Sequence, residues 1–116
     1  MIGIDIVKID RISRLKSKFG EKFLDRFLSP QEIQIAKSIE TIAGFYAAKE
    51  ALAKALGCGI GSEFGFFDVQ ITKTNLNAPK LNINPKIINK FQIKQAELSI
   101  SHDAGIAVAC VFLIRN

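Results

Sequence analysis

Two carboxylates in apolar or alanine-rich surroundings are the residues of this sequence best suited to chemistry. Asp5 interrupts an alternating apolar segment, and Glu50 lies in the middle of the alanine-rich segment Phe45–Ala51. Two carboxylates on separate elements, with water and a substrate diphosphate, form the oxygen-rich set that Mg2+ prefers. Each also has an ordinary explanation: Asp5 on a solvent-exposed strand face, and Glu50 in a surface pair with Lys54 one helical turn later.

A glycine-rich loop and a single histidine are weaker candidates. Gly57, Gly59 and Gly61 follow the alanine-rich segment, so the loop matches neither a dinucleotide fingerprint nor a P-loop. The loop could bring backbone N–H groups close to a phosphate, or it could simply end the helix. His102 is expected at a hairpin tip, where it could bind phosphate, move a proton or hydrogen-bond the turn.

Cations recur at helical steps near the start of the chain, displaced by one residue from an apolar stripe. They are Arg11, Arg14, Lys18, Lys22 and Arg26. Such a run is usually a solvated helix face, and the sharper hypothesis is a docking surface for an acidic helix. The net charge of +5 and pI of about 9.4 favour an anionic partner, which could be nucleic acid, an acidic protein or a phosphorylated small molecule.

The two elements that must position the carboxylates are predicted from their periodicity. Met1–Val7 alternates like a strand, with isoleucines on one face and Gly3 and Asp5 on the other. Thr41–Leu56 is predicted to be a helix ended by Gly57. Its many alanines leave it slim enough to lie very close to a neighbouring element.

The other elements predict an α+β fold, an antiparallel β-sheet with inserted helices, in one domain over residues 1–116 without a linker. Helical periodicity covers Ile9–Leu28 with a division near Gly20. A capping-box pattern starts a short helix at Ser29, running to about Ser38. Further expected elements are strands at Phe67–Lys73 and Lys80–Ile83, one or two helical turns over Pro85–Phe91, and hairpin arms at Leu98–Ser101 and Ile106–Ile114 joined by His102–Gly105.

Several classes of protein are disfavoured by composition. Cys58 and Cys110 are far apart and are expected to be free thiols in a reducing compartment, not a disulfide or part of a zinc site. Charged residues interrupt any secretory signal, and the longest apolar run, Ala104–Ile114, is about half as long as a membrane helix. A soluble, cytoplasmic protein is expected.

Three motifs together make the sequence resemble the bacterial holo-acyl-carrier-protein synthases, the small, trimeric class of 4'-phosphopantetheinyl transferases. The motifs are Ile2–Val7 (IGIDIV), Ala48–Ala51 (AKEA) with Lys54 and Gly57, and Leu98–His102 (LSISH). Their order and spacing span essentially the whole chain.

The resemblance implies a site and its partners. Asp5 and Glu50 would be Mg2+ ligands that hold the diphosphate of coenzyme A, with Lys54 and the loop glycines Gly57 and Gly59 nearby. His102 falls at a position associated with the active site. The implied docking residues for acyl carrier protein are Arg11, Arg14, Lys22 and Phe23, and the family assembles as trimers with active sites shared between neighbouring subunits.

The implied reaction is attack by a serine hydroxyl of the carrier protein on the phosphorus next to pantetheine, with 3',5'-ADP as the leaving group. Positioning and charge neutralisation are the main requirements of such a transfer. The serine proton could pass to a metal-bound water, to Glu50 or to His102.

Three departures from the family pattern are expected to affect affinity and not the type of reaction. Phe45 stands where arginine is common, so one contact to a coenzyme phosphate would be lost. Cys58 replaces a threonine, and Asn77–Lys80 replaces a glycine-lysine-proline turn.

The alternative function is a small, basic nucleic-acid-binding module, which the pI and the cationic helix favour. One tyrosine, no tryptophan and phenylalanines at core spacing leave few side chains for base stacking. A third hypothesis is a trimer that keeps the fold and serves only as an adaptor, which the presence of both Asp5 and Glu50 opposes.

Overall fold

The computed structural model describes all residues, 1–116, and the predicted α+β fold is confirmed. The strands form two antiparallel sheets, one of order β1–β5–β4 and one of β2–β3. No helix is both long and apolar enough to cross a membrane. In chain order the elements are β1 Ile2–Lys8, α1 Ile9–Phe19, α2 Glu21–Leu24, α3 Pro30–Ile35, α4 Ile39–Leu56, a 3-10 turn Phe66–Asp68, β2 Val69–Lys73, β3 Pro79–Ile83, α5 Pro85–Phe91, β4 Ile93–Asp103 and β5 Ile106–Arg115.

Local signals explain where the helices begin and end. Ser29 and Glu32 form the predicted capping box, with Glu32 N donating to Ser29 Oγ at 3.2 Å and Ser29 N donating to Glu32 Oε1 at 2.8 Å. Gly57 ends α4 at φ 84°, in the left-handed region that favours glycine. The predicted division at Gly20 lies between α1 and α2.

Helix α4 packs along the three-stranded sheet at unusually short range. A Cβ placed on Gly3 of β1 would lie 1.9 Å from the Ala51 carbonyl oxygen and 2.6 Å from Ala55 N. A Cβ on Gly44 would lie 2.8 Å from Ile100 Cγ2 of β4. Small residues at the crossing therefore allow the backbone of β1 to contact the backbone of α4. This close approach was predicted from the many alanines of the helix.

The face of β1 that packs on α4 is the one that carries Gly3 and Asp5. Gly3 and Val7 are buried, whereas Ile2, Ile4 and Ile6 are 67%, 58% and 65% exposed. The ordinary explanation of Asp5, a solvent-exposed strand face, is therefore wrong. The helix packs here because only the glycine-bearing face lets it come close enough.

The predicted place of His102 at a hairpin tip is also wrong. Strand β4 continues to Asp103, and His102 pairs with Ala107 of β5 in the antiparallel ladder. The connection is only the two residues Ala104 and Gly105, at φ 51° and 79°. Positive φ at both central residues matches the twist of a two-residue hairpin, which lets the strands pair up to the turn.

A buried ion pair fastens the other side of α4. Lys49 Nζ lies 2.8 Å from Glu32 Oε1, and both side chains are fully buried. Lys49 also donates to the carbonyl oxygens of Phe27 (2.7 Å) and Phe66 (2.9 Å), and Glu32 Oε2 accepts from Ile71 N at 2.8 Å. Burial lowers the pKa of Lys49, and the Glu32 carboxylate opposes that shift. The satisfied pair ties α3, α4 and β2 together.

We predict that Gly3→Ala destabilises the protein by about 3 kcal/mol or prevents folding, because the new methyl group collides with backbone atoms of α4 that cannot move aside. Urea unfolding followed by circular dichroism measures this change. Gly61→Ala is the control, since a Cβ there meets nothing within 4 Å. Equal stability of the two variants would show that the crossing is loose.

Candidate active site

The close crossing places Asp5, Glu50 and Lys54 side by side. Asp5 is two residues beyond Gly3 and so projects from the same face of β1. Glu50 and Lys54 are one turn apart on α4 and so share a helix face. Lys54 Nζ donates to Asp5 Oδ1 at 3.0 Å and to the Ile4 carbonyl oxygen at 3.2 Å. The Asp5 side chain is only 14% exposed, whereas that of Lys54 is 53% exposed.

The two carboxylates influence each other. The pKa of Glu50 is raised, first by burial and then by the negative charge of Asp5. A hydrogen bond from Tyr46 and the charges of Lys54 and Arg11 oppose the rise. The cluster therefore consists of two acidic groups faced by two cations, in partly desolvated surroundings.

Tyr46 is a member of the cluster that the sequence analysis missed. Its pKa is raised by burial first, and then by the charges of Glu50 and Asp5, while Arg11 opposes the rise. Its ring packs edge-on against Phe27, with centroids 5.2 Å apart. The spacing of Tyr46 and Glu50, one helical turn, was the signal that could have found it.

The donor set fits a magnesium ion that shares its coordination with a substrate. No group of three or more histidine, cysteine, aspartate or glutamate side chains gathers anywhere in the chain. Asp5 and Glu50 do approach each other, as the effect of one charge on the other shows. Mg2+ in phosphate-processing enzymes is typically held by one or two carboxylates, with water and substrate phosphates completing the octahedron.

His102 does not join this cluster. Asp5 pairs with Ala109 and His102 pairs with Ala107, so strand β5 lies between them on the shared sheet face. Two strand spacings separate the backbones of β1 and β4 by about 10 Å. His102 is exposed and lies close to the turn that joins β4 and β5.

The glycine loop ends α4 and directs its N–H groups back to the helix. Gly57 N donates to the Lys54 carbonyl oxygen at 3.0 Å, and the backbone nitrogens of Cys58 and Gly59 both donate to Ala53 O at 3.3 Å. Those groups are engaged in capping, so they do not form a phosphate nest in this conformation. Gly57 and Gly59 remain near the exposed end of the helix that carries Lys54.

Three of the four predicted docking residues line one groove. A cavity of about 330 Å³ lies between α1, α2 and α4. Arg14 is not part of its wall and instead pairs with Asp10 at 3.2 Å on the exposed side of α1. The groove has cations around aromatic and aliphatic side chains, and its lining comprises Arg11, Ile12, Leu15, Phe19, Lys22, Phe23, Arg26, Phe27, Tyr46 and Phe66.

The three departures from the family pattern have clear structural places. Phe45 is 1% exposed and belongs to the hydrophobic core, so its side chain is unavailable to any ligand. Cys58 is exposed and is a free thiol in the loop after α4. Asn77 adopts φ 66° in the β2–β3 turn, a conformation that asparagine tolerates.

Comparison with known proteins agrees with this geometry. Residues 1–111 match the model of the family described as "4'-phosphopantetheinyl transferase superfamily". The chain is 62% identical over 109 residues to the holo-[acyl-carrier-protein] synthase of Campylobacter curvus, covering 94% of this chain and 96% of that one. The same enzyme of a Nitratiruptor species is 56% identical over 115 residues, with 99% of each chain covered.

Solved structures of the same kind of enzyme have the same fold. The Helicobacter pylori holo-[acyl-carrier-protein] synthase in complex with coenzyme A superposes with a TM-score of 0.96 at 48% identity, covering 98% of this chain and all of that one. The Bacillus anthracis synthase, described in complex with CoA (3',5'-ADP), gives a TM-score of 0.81 at 36% identity, covering 97% of this chain and 93% of that one.

The chain therefore belongs to the 4'-phosphopantetheinyl transferase superfamily, and within it to the holo-[acyl-carrier-protein] synthases. As a member it is an enzyme, which transfers phosphopantetheine from coenzyme A to an acyl carrier protein.

We predict that Glu50→Gln stabilises the metal-free protein at neutral pH. The folded-state pKa of Glu50 is raised, so ionisation of this carboxyl group costs more in the folded than in the unfolded chain. That cost is absent below the unfolded pKa and appears as pH rises through the folded pKa. Thermal unfolding in EDTA should show a higher Tm for the variant at pH 7.5 and no difference near pH 3.5. The exposed control Glu97→Gln should show no such pH-dependent gain.

Proposed function

We propose that the transfer of 4'-phosphopantetheine to a serine of apo-acyl carrier protein runs at a Mg2+ site built from Asp5 and Glu50. The observation that carries this proposal is the crossing of β1 and α4, which gathers two carboxylates from separate elements into one partly buried cluster. Bound there, Mg2+ would neutralise charge on the coenzyme diphosphate while the pantetheine-bearing phosphorus is attacked.

The side chains around the carboxylates have distinct proposed roles. Lys54, more than half exposed, can reach a coenzyme phosphate. Gly57 and Gly59 leave space for the coenzyme beside the end of α4. The serine proton has two candidate acceptors among the side chains, Glu50 and His102.

The groove between α1 and α2 is the proposed docking surface for the carrier protein. Arg11 lies close enough to the Glu50 carboxylate to lower its pKa, so the surface leads directly to the active site. Lys22 and Phe23 line the same groove, and Arg14 adds charge on the exposed side of α1. Cations around an apolar floor suit an acidic, amphipathic helix.

A homotrimer with shared active sites is part of the proposal. The outer face of the β1–β5–β4 sheet exposes Ile2, Ile4, Ile6, Phe112 and Ile114. Monomeric soluble proteins rarely leave so continuous an apolar face in water. In such an assembly, His102 would be available to a neighbouring subunit's site. The cytoplasmic location is proposed as well, since two free cysteines suit a reducing compartment.

We predict that apo-acyl carrier protein, incubated with this protein, coenzyme A and Mg2+, gains about 340 Da, and that EDTA abolishes the gain. Intact-mass spectrometry measures it. Asp5→Ala and Glu50→Ala should each slow transfer by at least about 100-fold, because each removes a metal ligand. Glu40→Ala, at the opposite end of α4, is the control and should stay near wild type.

Two results would contradict this prediction. Near-normal transfer by Asp5→Ala or Glu50→Ala at limiting Mg2+ would refute the metal assignment. No mass gain with carrier proteins from fatty-acid and other pathways, together with tight and salt-dependent binding to nucleic acid, would favour the nucleic-acid module instead.

We predict that the double charge reversal Arg11→Glu/Arg14→Glu raises the KM for carrier protein about 10-fold or more and leaves the coenzyme A affinity unchanged. The physical reason is that like charges would now face an acidic helix. Steady-state kinetics and coenzyme A titration calorimetry measure the two quantities separately. Lys86→Glu on α5 is the control. Equal loss of both affinities would mean that α1 is not a separate docking surface.

We predict that Ile6→Glu converts the trimer to monomers by placing a charge in the apolar sheet face. Sedimentation velocity measures the change, and Ile88→Lys on α5, itself 37% exposed, is the control. A wild-type protein that sediments as a monomer would refute the assembly and leave transfer untouched.

A further inference from the structure

Lys54 makes two contacts to one short stretch of β1, and one of them is to the Asp5 carboxylate, a proposed Mg2+ ligand. Its Nζ donates to Asp5 Oδ1 at 3.0 Å and to the Ile4 carbonyl oxygen at 3.2 Å. Asp5 is held almost out of solvent, while more than half of the Lys54 side chain is exposed. The carboxylate is therefore fixed by its surroundings, and the ammonium group is on a flexible tether that can leave it.

The charges around the site nearly cancel without a metal ion. Asp5 and Glu50 contribute two negative charges when ionised, and Lys54 and Arg11 contribute two positive charges that act on the same group. A divalent cation bound by Asp5 would meet the Lys54 ammonium on the same carboxylate. The divalent cation and the Lys54 ammonium group would repel each other when both contact Asp5. Partial burial reduces the solvent screening between them.

Coenzyme A carries the phosphate groups that can resolve this competition. Once its diphosphate lies beside the cluster, Lys54 can turn from the Asp5 carboxylate to a phosphate oxygen without losing an ionic partner. The Asp5 carboxylate is then free to bind the metal ion. The phosphates of coenzyme A add the negative charge that balances the metal ion, and they provide further oxygen ligands.

We propose that Lys54 is a coupling residue: it opposes Mg2+ at Asp5 and makes coenzyme A and Mg2+ bind cooperatively. The inference rests on the proposed assignment of Asp5 as a metal ligand. Cooperativity of this kind is reciprocal, so Mg2+ must raise the affinity for coenzyme A by the same factor by which coenzyme A raises the affinity for Mg2+.

The test is calorimetric titration of the whole protein with MgCl2 at fixed ionic strength, once in the presence and once in the absence of coenzyme A. Carrier protein is left out of both titrations so that no transfer occurs. Lys54→Met keeps an unbranched side chain of similar length and removes the charge. We expect it to bind Mg2+ alone about 5- to 10-fold more tightly than wild type and to lose most of the enhancement by coenzyme A. Lys86→Met, which removes one positive charge on α5, should match wild type in both titrations.

Two other outcomes overturn the proposal in distinguishable ways. If Asp5→Asn abolishes Mg2+ binding while Lys54→Met binds Mg2+ alone no more tightly than wild type, the metal assignment stands and the coupling is wrong. If Asp5→Asn binds Mg2+ as wild type does, the metal assignment and the coupling fail together.

Discussion

The contact between Gly3 of β1 and the backbone of α4 is the constraint on which the candidate active site depends. A missing Cβ lets the strand and the helix approach until their backbones touch. The period of a strand then puts Asp5 on the same face, two residues along. On α4, Glu50 directly precedes Ala51, whose carbonyl oxygen faces Gly3. Lys54 follows Glu50 by one helical turn and so lies on the same side of the helix. The absence of one Cβ, at Gly3, thus allows three charged side chains, Asp5, Glu50 and Lys54, to form a cluster.

That arrangement has an electrostatic cost, and the rest of α4 offsets it. The pKa of Glu50 is raised because the carboxyl group loses water and faces Asp5. Lys49, the preceding residue, projects into the core and is held by Glu32 and two backbone carbonyl groups. Removal of one partner of such a buried pair typically costs about 3–5 kcal/mol. The pair therefore anchors the helix while its next residue faces the site.

Features set by neighbouring residues in the sequence could be predicted. The capping box at Ser29 and the glycine stop at Gly57 depend on contacts within one turn, and both are found as expected. The pairing of Asp5 with α4 was open, because an alternating strand does not say which of its faces is buried. The full burial of Lys49 could not be predicted, because it depends on partners 17 and 22 residues away in the chain.

The two faces of β1 perform different tasks, which explains why its apolar pattern was misleading. Alternation predicts that one face is buried, and isoleucines are the usual buried residues. Here the helix needs the glycine-bearing face, so the isoleucines point outward on the opposite side of the sheet. Their exposure leaves an apolar surface that a second copy of the chain would cover. The packing of the Gly3 and Asp5 face on α4 therefore has two results. It builds the carboxylate cluster, and it leaves exposed the isoleucine face through which subunits are proposed to associate.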